Sequence, residues 1–135
     1  MLIQTVAVSR KGQADFEASL PSGKSIVMSS EGPKPVEMII ASLGGCSALT
    51  LEEIFKKMRI DVDDMAIEVE GLLTEDKPRL ILGARLRCRF WGKDLKEEQV
   101  SRAVDLAKEY CSVHHTLEKA GPIEYSYEIN PPRQS

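Results

Sequence analysis

The stretch Pro35-Val-Glu-Met-Ile-Ile-Ala-Ser-Leu-Gly-Gly-Cys46 decides how this chain folds. It opens a helical pattern from Pro35 to Met58, in which apolar residues recur mainly three and four positions apart. Proline suits the first turn of a helix, because its missing N–H has no intrahelical partner there. The half up to Ala48 is apolar nearly all round, which predicts burial on most sides. Gly44 and Gly45 each cost about 1 kcal/mol relative to alanine in a helix, so close packing or a kink must offset them.

Strand patterns lie on both sides of this helix. Before it, β-branched content and alternation predict a meander of three strands, separated by turn residues: Leu2–Ser9, Gln13–Leu20 and Ser25–Ser29. After it, Val62–Leu72 and Arg79–Phe90 alternate apolar and polar residues and predict a hairpin.

A second helix and a final strand complete the pattern. Asp94 with Glu97 predicts a capping-box start, and the helix runs from Leu95 through Cys111. We expect it to break or end between Cys111 and Gly121, where Gly121-Pro122 is a stop signal. Ile123–Ile129 alternates as a last strand.

The resulting order is βββ-α-ββ-α-β, an α+β class in which two long helices pack on sheets of mostly hairpin-linked, antiparallel strands. A length of 135 residues predicts a single domain over residues 1–135, of which 131–135 form a short polar tail.

Composition and charge argue against several classes of partner. The net charge is -3 and no basic stripe stands out, which argues against a nucleic-acid partner. Apolar runs are interrupted before the roughly 18 residues that a membrane span needs, so no membrane association is expected. The first residues, MLIQTVAVSRKG, do not resemble a secretory leader, and we expect a cytoplasmic protein.

Three cysteines carry the candidate chemistry, and an odd number argues against a disulfide framework. Cys46, beside small residues, fits either a thiolate in a narrow pocket or a buried small hydrophobe. Cys111 precedes His114 and His115, whose imidazoliums would favour a thiolate if the helix continued; solvated histidines are the alternative. Cys88 lies on the apolar face of a strand and is predicted to be core.

Cys111 and Cys46 with a histidine also fit a metal site, but no Cys-x2-Cys pair exists, and no metal is predicted.

The charged residues near these cysteines and on the strands can be explained without a catalytic role. Glu37 sits in the first helical turn, where the helix dipole stabilises an acid. A row of arginines alternates with the apolar residues of one strand and is predicted to be a solvated face: Arg85, Arg87 and Arg89.

Two segments together resemble a known family. Pro35–Cys46 looks like the cysteine helix of the OsmC/Ohr proteins, and Ala107–Val113 looks like their second cysteine motif. Lys11–Glu17 is similar to the start of some members, and Pro78–Leu80 resembles the OsmC-like branch rather than Ohr itself. The order of strands and helices matches over nearly the whole chain.

The resemblance implies an intertwined homodimer with an active site at each subunit interface. It implies a thiol-dependent peroxidase that reduces organic hydroperoxides, and hydrogen peroxide as a further substrate, in oxidative-stress defence. Cys46 would be the peroxidatic residue and Cys111 the resolving one. No bound cofactor is implied, only an external dithiol reductant.

The sequence departs from the family pattern at the acid and arginine positions that assist the thiolate. Known members use an acid early in the cysteine helix and an arginine from the N-terminal half to assist the thiolate. Here Val36 stands nearest to the Ohr acid position and Glu37 one residue later, a rotation of about 100° on a helix. Arg10 is the single arginine ahead of the helix and the candidate for the second role. A non-enzymatic protein that binds an apolar small molecule with the same fold is the alternative.

Overall fold

The computed structural model describes residues 1–133, so positions 134–135 of the predicted polar tail lie outside the described residues. The α+β order βββ-α-ββ-α-β is confirmed, with one short extra helix before the last strand. The chain divides into two compact units, Met1–Ile39 and Ile40–Ser135.

The first unit contains the predicted three-stranded meander. Its strands, β1 (Ala7–Arg10), β2 (Asp15–Ser19) and β3 (Ser25–Ser29), pair antiparallel in that order. The predicted first strand began too early, at Leu2. Ala7 pairs with Ser19, the last residue of β2, so residues before Ala7 lie beyond the end of the partner strand.

Helix α1 (Pro35–Lys57) begins in the first unit and continues through the second, within one residue of its predicted bounds. Its buried residues are spaced four apart: Leu43, Ser47, Leu51 and Phe55. Burial of the half up to Ala48 on most sides was therefore wrong for the single chain, since Ile39, Ala41 and Ser42 remain exposed.

Helix α1 is also long and apolar enough, by length and composition, to cross a membrane. This corrects the expectation that no such segment exists: the charged residues of α1 lie towards its two ends, and the stretch from Met38 to Leu51 contains none. A core helix of a soluble protein meets the same criterion, so the finding alone assigns no membrane role.

The second unit is built on a sheet of β4 (Asp64–Leu73), β5 (Ile81–Trp91) and β6 (Ile123–Ile129), in that order. β4 and β5 form the predicted antiparallel hairpin. β6 pairs parallel to β5, which differs from the expected all-antiparallel arrangement. The helices between β5 and β6 supply the crossover that a parallel pair requires.

Helix α2 (Glu97–Tyr110) and the short α3 (Ser112–Leu117) form this crossover. The capping box predicted at Asp94 was wrong: α2 starts after Lys96, which makes no side-chain capping bond. The predicted break falls at Cys111, whose extended backbone (φ -78°, ψ 111°) ends α2 and precedes α3.

Glycines let α1 approach β4 closely. A Cβ atom at Gly44 would lie 2.9 Å from Val69 Cγ2, and one at Gly71 would lie 2.5 Å from Ile40 Cδ1. Because these contacts leave no room for a methyl group, close packing offsets the helix-propensity cost of Gly44. Gly45 has nothing within 4 Å of the corresponding position.

Aromatic and aliphatic side chains fill the core between α1, α2 and the sheet. The rings of Phe55 and Phe90 meet edge to face, with centroids 5.1 Å apart. Cys88 is buried in the same cluster, as predicted. Arg85 and Arg87 on β5 face solvent as predicted, and Arg87 pairs with Glu68 and Glu70. Arg89 differs from the prediction: it is half-buried, and its Nε is buried without a hydrogen-bond partner among the described residues.

Candidate active site

Cys46 of α1 meets Cys111 at the break between α2 and α3. The Cys111 thiol donates a hydrogen bond to the Cys46 sulfur. Both are free thiols; Cys46 is half-buried, whereas Cys111 is fully buried. The two predicted site cysteines therefore lie together, one of them reachable from solvent.

The surroundings of Cys46 favour its thiolate. Burial raises the pKa of Cys46, but hydrogen bonds from the backbone of Val113, the Cys111 thiol and the backbone of Ser112 outweigh it and bring the pKa below 9.0. All of these donors are neutral. The break at Cys111 turns the first N–H groups of α3 towards the sulfur, as expected at a helix start, where N–H groups lack intrahelical partners.

The surroundings of Cys111 favour its thiol. Burial raises the pKa of Cys111, and so does the hydrogen bond that it donates to Cys46. The backbone N–H of His114, 3.4 Å from the Cys111 sulfur, and the nearby Ser47 hydroxyl act in the opposite direction without reversing the shift. The pair thus consists of one favoured thiolate and one favoured thiol.

A chain of polar side chains leads from Cys111 to solvent. Ser47 Oγ lies 3.7 Å from the Cys111 sulfur and 2.8 Å from the Tyr125 hydroxyl. The Tyr125 hydroxyl lies 3.2 Å from His114 Nδ1, and His114 Nε2 lies 3.1 Å from Glu118 Oε2. Burial raises the pKa of Tyr125 to about 12, which keeps its hydroxyl protonated at neutral pH.

The two histidines have different environments. His114 is buried and its ring contacts Tyr125 and Glu118. His115 is exposed, and hydrogen bonds to the Glu109 carbonyl and the Glu118 carboxylate raise its pKa. Because the helix breaks at Cys111, the histidines do not share its helical face. Among residues 1–133 no group of three or more histidine, cysteine or acidic side chains is arranged to hold a metal.

Glu37 and Arg10 lie in the first unit and make local contacts. The Glu37 carboxylate accepts the Lys34 backbone N–H at 3.0 Å, which caps the first turn of α1. Arg10 is exposed on β1, and its Nε donates to the Gly12 carbonyl at 3.4 Å. Their predicted roles at the thiolate stay predictions.

Comparison with known proteins gives the family. The sequence model of the family described as OsmC-like protein matches residues 28–126. The chain belongs to the OsmC-like family.

Several relatives cover most of this OsmC-like chain. Protein YhfA of Escherichia coli K12 is 42% identical over 119 residues, covering 84% of this chain and 89% of that protein. The crystal structure of a hypothetical protein from Aquifex aeolicus VF5 is 27% identical, with a TM-score of 0.86 over 98% of this chain and all of that one. The organic hydroperoxide resistance protein OhrB of Bacillus subtilis shares the fold at 23% identity, with a TM-score of 0.64, covering 92% of this chain and 98% of that one.

Sequence patterns missed several residues of the OsmC-like site. Ser47 was noted only as a small neighbour of Cys46, and Tyr125 only as one of the alternating residues of the last strand. Ser47 follows the buried spacing of Leu43, Leu51 and Phe55 on α1, and a polar residue on a buried helical face needs a partner. That signal could have singled out Ser47 but not Tyr125.

Proposed function

We propose that this protein is a thiol-dependent peroxidase that reduces organic hydroperoxides, with hydrogen peroxide as a further substrate. The observation that carries the proposal is the hydrogen bond from the buried Cys111 thiol to the half-buried Cys46 sulfur, with the pKa of Cys46 lowered and that of Cys111 raised. A thiolate is the nucleophilic form of cysteine, so Cys46 is the residue that attacks.

In the first step the Cys46 thiolate attacks the distal oxygen of the hydroperoxide. The S–O bond forms as the O–O bond breaks, and Cys46 becomes a sulfenic acid. The departing alkoxide takes a proton from solvent and leaves as the alcohol.

In the second step the Cys111 sulfur attacks the Cys46 sulfur. The S–S bond forms as the S–O bond breaks, and hydroxide leaves and is protonated to water, while Cys111 loses its proton. An external dithiol then restores both thiols by exchange, so no bound cofactor is needed. One hydroperoxide and two external thiols give one alcohol, one water and one disulfide.

A homodimer in the cytoplasm is part of the proposal. Leu49 on α1 is 72% exposed and Tyr110 at the end of α2 is 66% exposed in the single chain. Large apolar side chains exposed beside the site cysteines suit a subunit interface, which would bury them. Such an interface would also cover the apolar face of α1.

A non-enzymatic small-molecule-binding protein is the second candidate. Every group that lowers the pKa of Cys46 is neutral, so the thiolate has less support than an arginine would give it. This candidate predicts thiols that leave hydroperoxides unconsumed, and an apolar ligand that binds beside the same two cysteines.

The test is consumption of cumene hydroperoxide in the presence of dithiothreitol. We expect catalytic turnover by the wild type, background rates with Cys46→Ser, and retained turnover with Cys88→Ser as the matched control. Unaltered turnover in Cys46→Ser, or none in the wild type, would reject the proposal.

A further inference from the structure

Ser47, Tyr125, His114 and Glu118 form a continuous chain of hydrogen bonds that begins at the buried sulfur of Cys111. Ser47 is fully buried, and His114 is nearly so, whereas the Glu118 side chain is 47% exposed. Buried polar groups are normally hydrogen-bonded. This chain also connects a buried thiol with a solvent-exposed carboxylate, so it offers a path by which a proton can leave the interior.

The resolving step requires a proton to leave the buried Cys111. Burial raises the pKa of Cys111, so at neutral pH its sulfur still carries a proton that must leave as the disulfide forms. In the reduced site this proton is shared with the Cys46 sulfur. Once Cys46 is oxidised that thiolate acceptor is lost, and the Ser47 oxygen, 3.7 Å from the Cys111 sulfur, is placed to accept the proton instead.

We propose that Ser47, Tyr125 and His114 relay the Cys111 proton to Glu118 and solvent during the resolving step; the inference rests on the proposed peroxidase function and deepens it. Ser47 accepts from Cys111 and donates to Tyr125, Tyr125 donates to His114 Nδ1, and His114 Nε2 donates to Glu118. Each hydroxyl gains one proton and loses one, whereas His114 gains one at Nδ1 and loses one from Nε2 and so ends as the Nδ1–H tautomer. Glu118 passes its proton to solvent, and the hydroxyls and the imidazole return to their starting protonation before the next turnover. The hydroxide that leaves Cys46 takes its proton from solvent at the half-buried end of the site.

Other groups near His114 do not interrupt this order. The His115 ring lies 5.6 Å from the His114 ring and is held by Glu109 and Glu118. The Lys108 ammonium lies 5.6 Å from the centre of the Tyr125 ring, over its face rather than at its hydroxyl. The relay positions and deprotonates Cys111; it has no part in the attack of Cys46 on the hydroperoxide.

The test uses 5,5′-dithiobis(2-nitrobenzoate), which needs no hydroperoxide. Attack by Cys46 releases one thionitrobenzoate and leaves a mixed disulfide. Attack by Cys111 on that disulfide releases the second, and mass spectrometry assigns each release. We expect Tyr125→Phe to slow the second release at least about tenfold, since proton transfer by a positioned group contributes 100-fold or more. The first release should stay within about twofold.

Tyr127→Phe is the matched control, because Tyr127 lies on the same strand and its hydroxyl bonds to Glu97 outside the relay. Its two releases should both match the wild type. Ser47→Ala should slow the second release as Tyr125→Phe does, and the alanine side chain fits the buried space that the serine occupies. The double variant should be no slower than either single variant, because groups that act in series are non-additive.

The outcomes separate the two proposals. An unchanged second release in Tyr125→Phe, multiplicative slowing in the double variant, or a wild type that releases only one equivalent would overturn the relay. If the second release depends on Tyr125 while the wild type consumes no hydroperoxide, the relay stands as a device for disulfide exchange and the peroxidase function fails.

Discussion

Cys111 donates its thiol hydrogen to the sulfur of Cys46, and this bond makes the two cysteines unequal. The donated hydrogen bond stabilises the Cys46 thiolate and discourages ionisation of Cys111. Exposure divides them in the same way, since Cys46 is half-buried and Cys111 is fully buried. In the proposed peroxidase, this contact would make Cys46 the attacking thiol and Cys111 the resolving one.

The first prediction concerns the pH dependence of alkylation by iodoacetamide. Because the pKa of Cys46 is lowered from 9.0, its thiolate fraction at neutral pH is larger than that of an ordinary cysteine, and Cys46 should be alkylated first. Cys111→Ala removes one donor and should move the midpoint of Cys46 alkylation to higher pH. Peptide mass spectrometry across a pH series measures both.

Cys88→Ala serves as the control for this series, since Cys88 contributes no hydrogen bond to Cys46, and the midpoint should not move. Alkylation of Cys111 ahead of Cys46, or a midpoint that ignores the loss of Cys111, would contradict the account.

The second prediction concerns stability in alkali. Burial raises the pKa of Cys88 from 9.0 to about 11, so the unfolded chain loses this proton at lower pH than the folded one. The resulting stabilisation is fully present below pH 9.0 and is lost as the pH rises to about 11. It corresponds to about 3 kcal/mol.

Urea unfolding of the wild type and of Cys88→Ala, each under reducing conditions, tests this effect. The stability difference between the two proteins should shrink from pH 8 towards pH 11, because other titrating groups cancel in the difference. A difference that is constant with pH would show that Cys88 does not resist ionisation in the core.

The third prediction compares two adjacent glycines of α1. Gly45→Ala meets open space and should stabilise the protein by about 1 kcal/mol through helix propensity. Gly44→Ala gains the same propensity but places its methyl group 2.9 Å from Val69 Cγ2. Overpacking costs about 1–3 kcal/mol, so this variant should be the less stable of the two. Urea denaturation decides, and equal stabilities would mean that α1 and β4 can separate without cost.

Local periodicity explains what the sequence could predict. The apolar spacing of α1 fixed its bounds to within one residue, and alternation placed the last strand at Ile123–Ile129 as observed. Both patterns depend on neighbours along the chain. The pairing of Cys46 with Cys111 came from the family resemblance, because no local pattern determines which distant residues meet.

What could not be predicted depends on the packing of distant segments. The parallel pairing of β6 with β5 follows from the crossover of α2 and α3, and the Asp94 capping box failed because α2 starts after Lys96. The hydrogen bond between Ser47 and Tyr125 joins α1 to β6, which no spacing rule relates. The tertiary fold, rather than spacing along the chain, therefore brings together the hydrogen-bonded side chains around Cys111.

The central claim is tested most directly by identifying the disulfide that forms when the reduced protein meets one equivalent of cumene hydroperoxide. Peptide mapping by mass spectrometry, after trapping of free thiols, should find Cys46 joined to Cys111 and Cys88 still free, with two thiols lost per hydroperoxide. Recovery of all three thiols intact, or a disulfide that includes Cys88, would contradict the account.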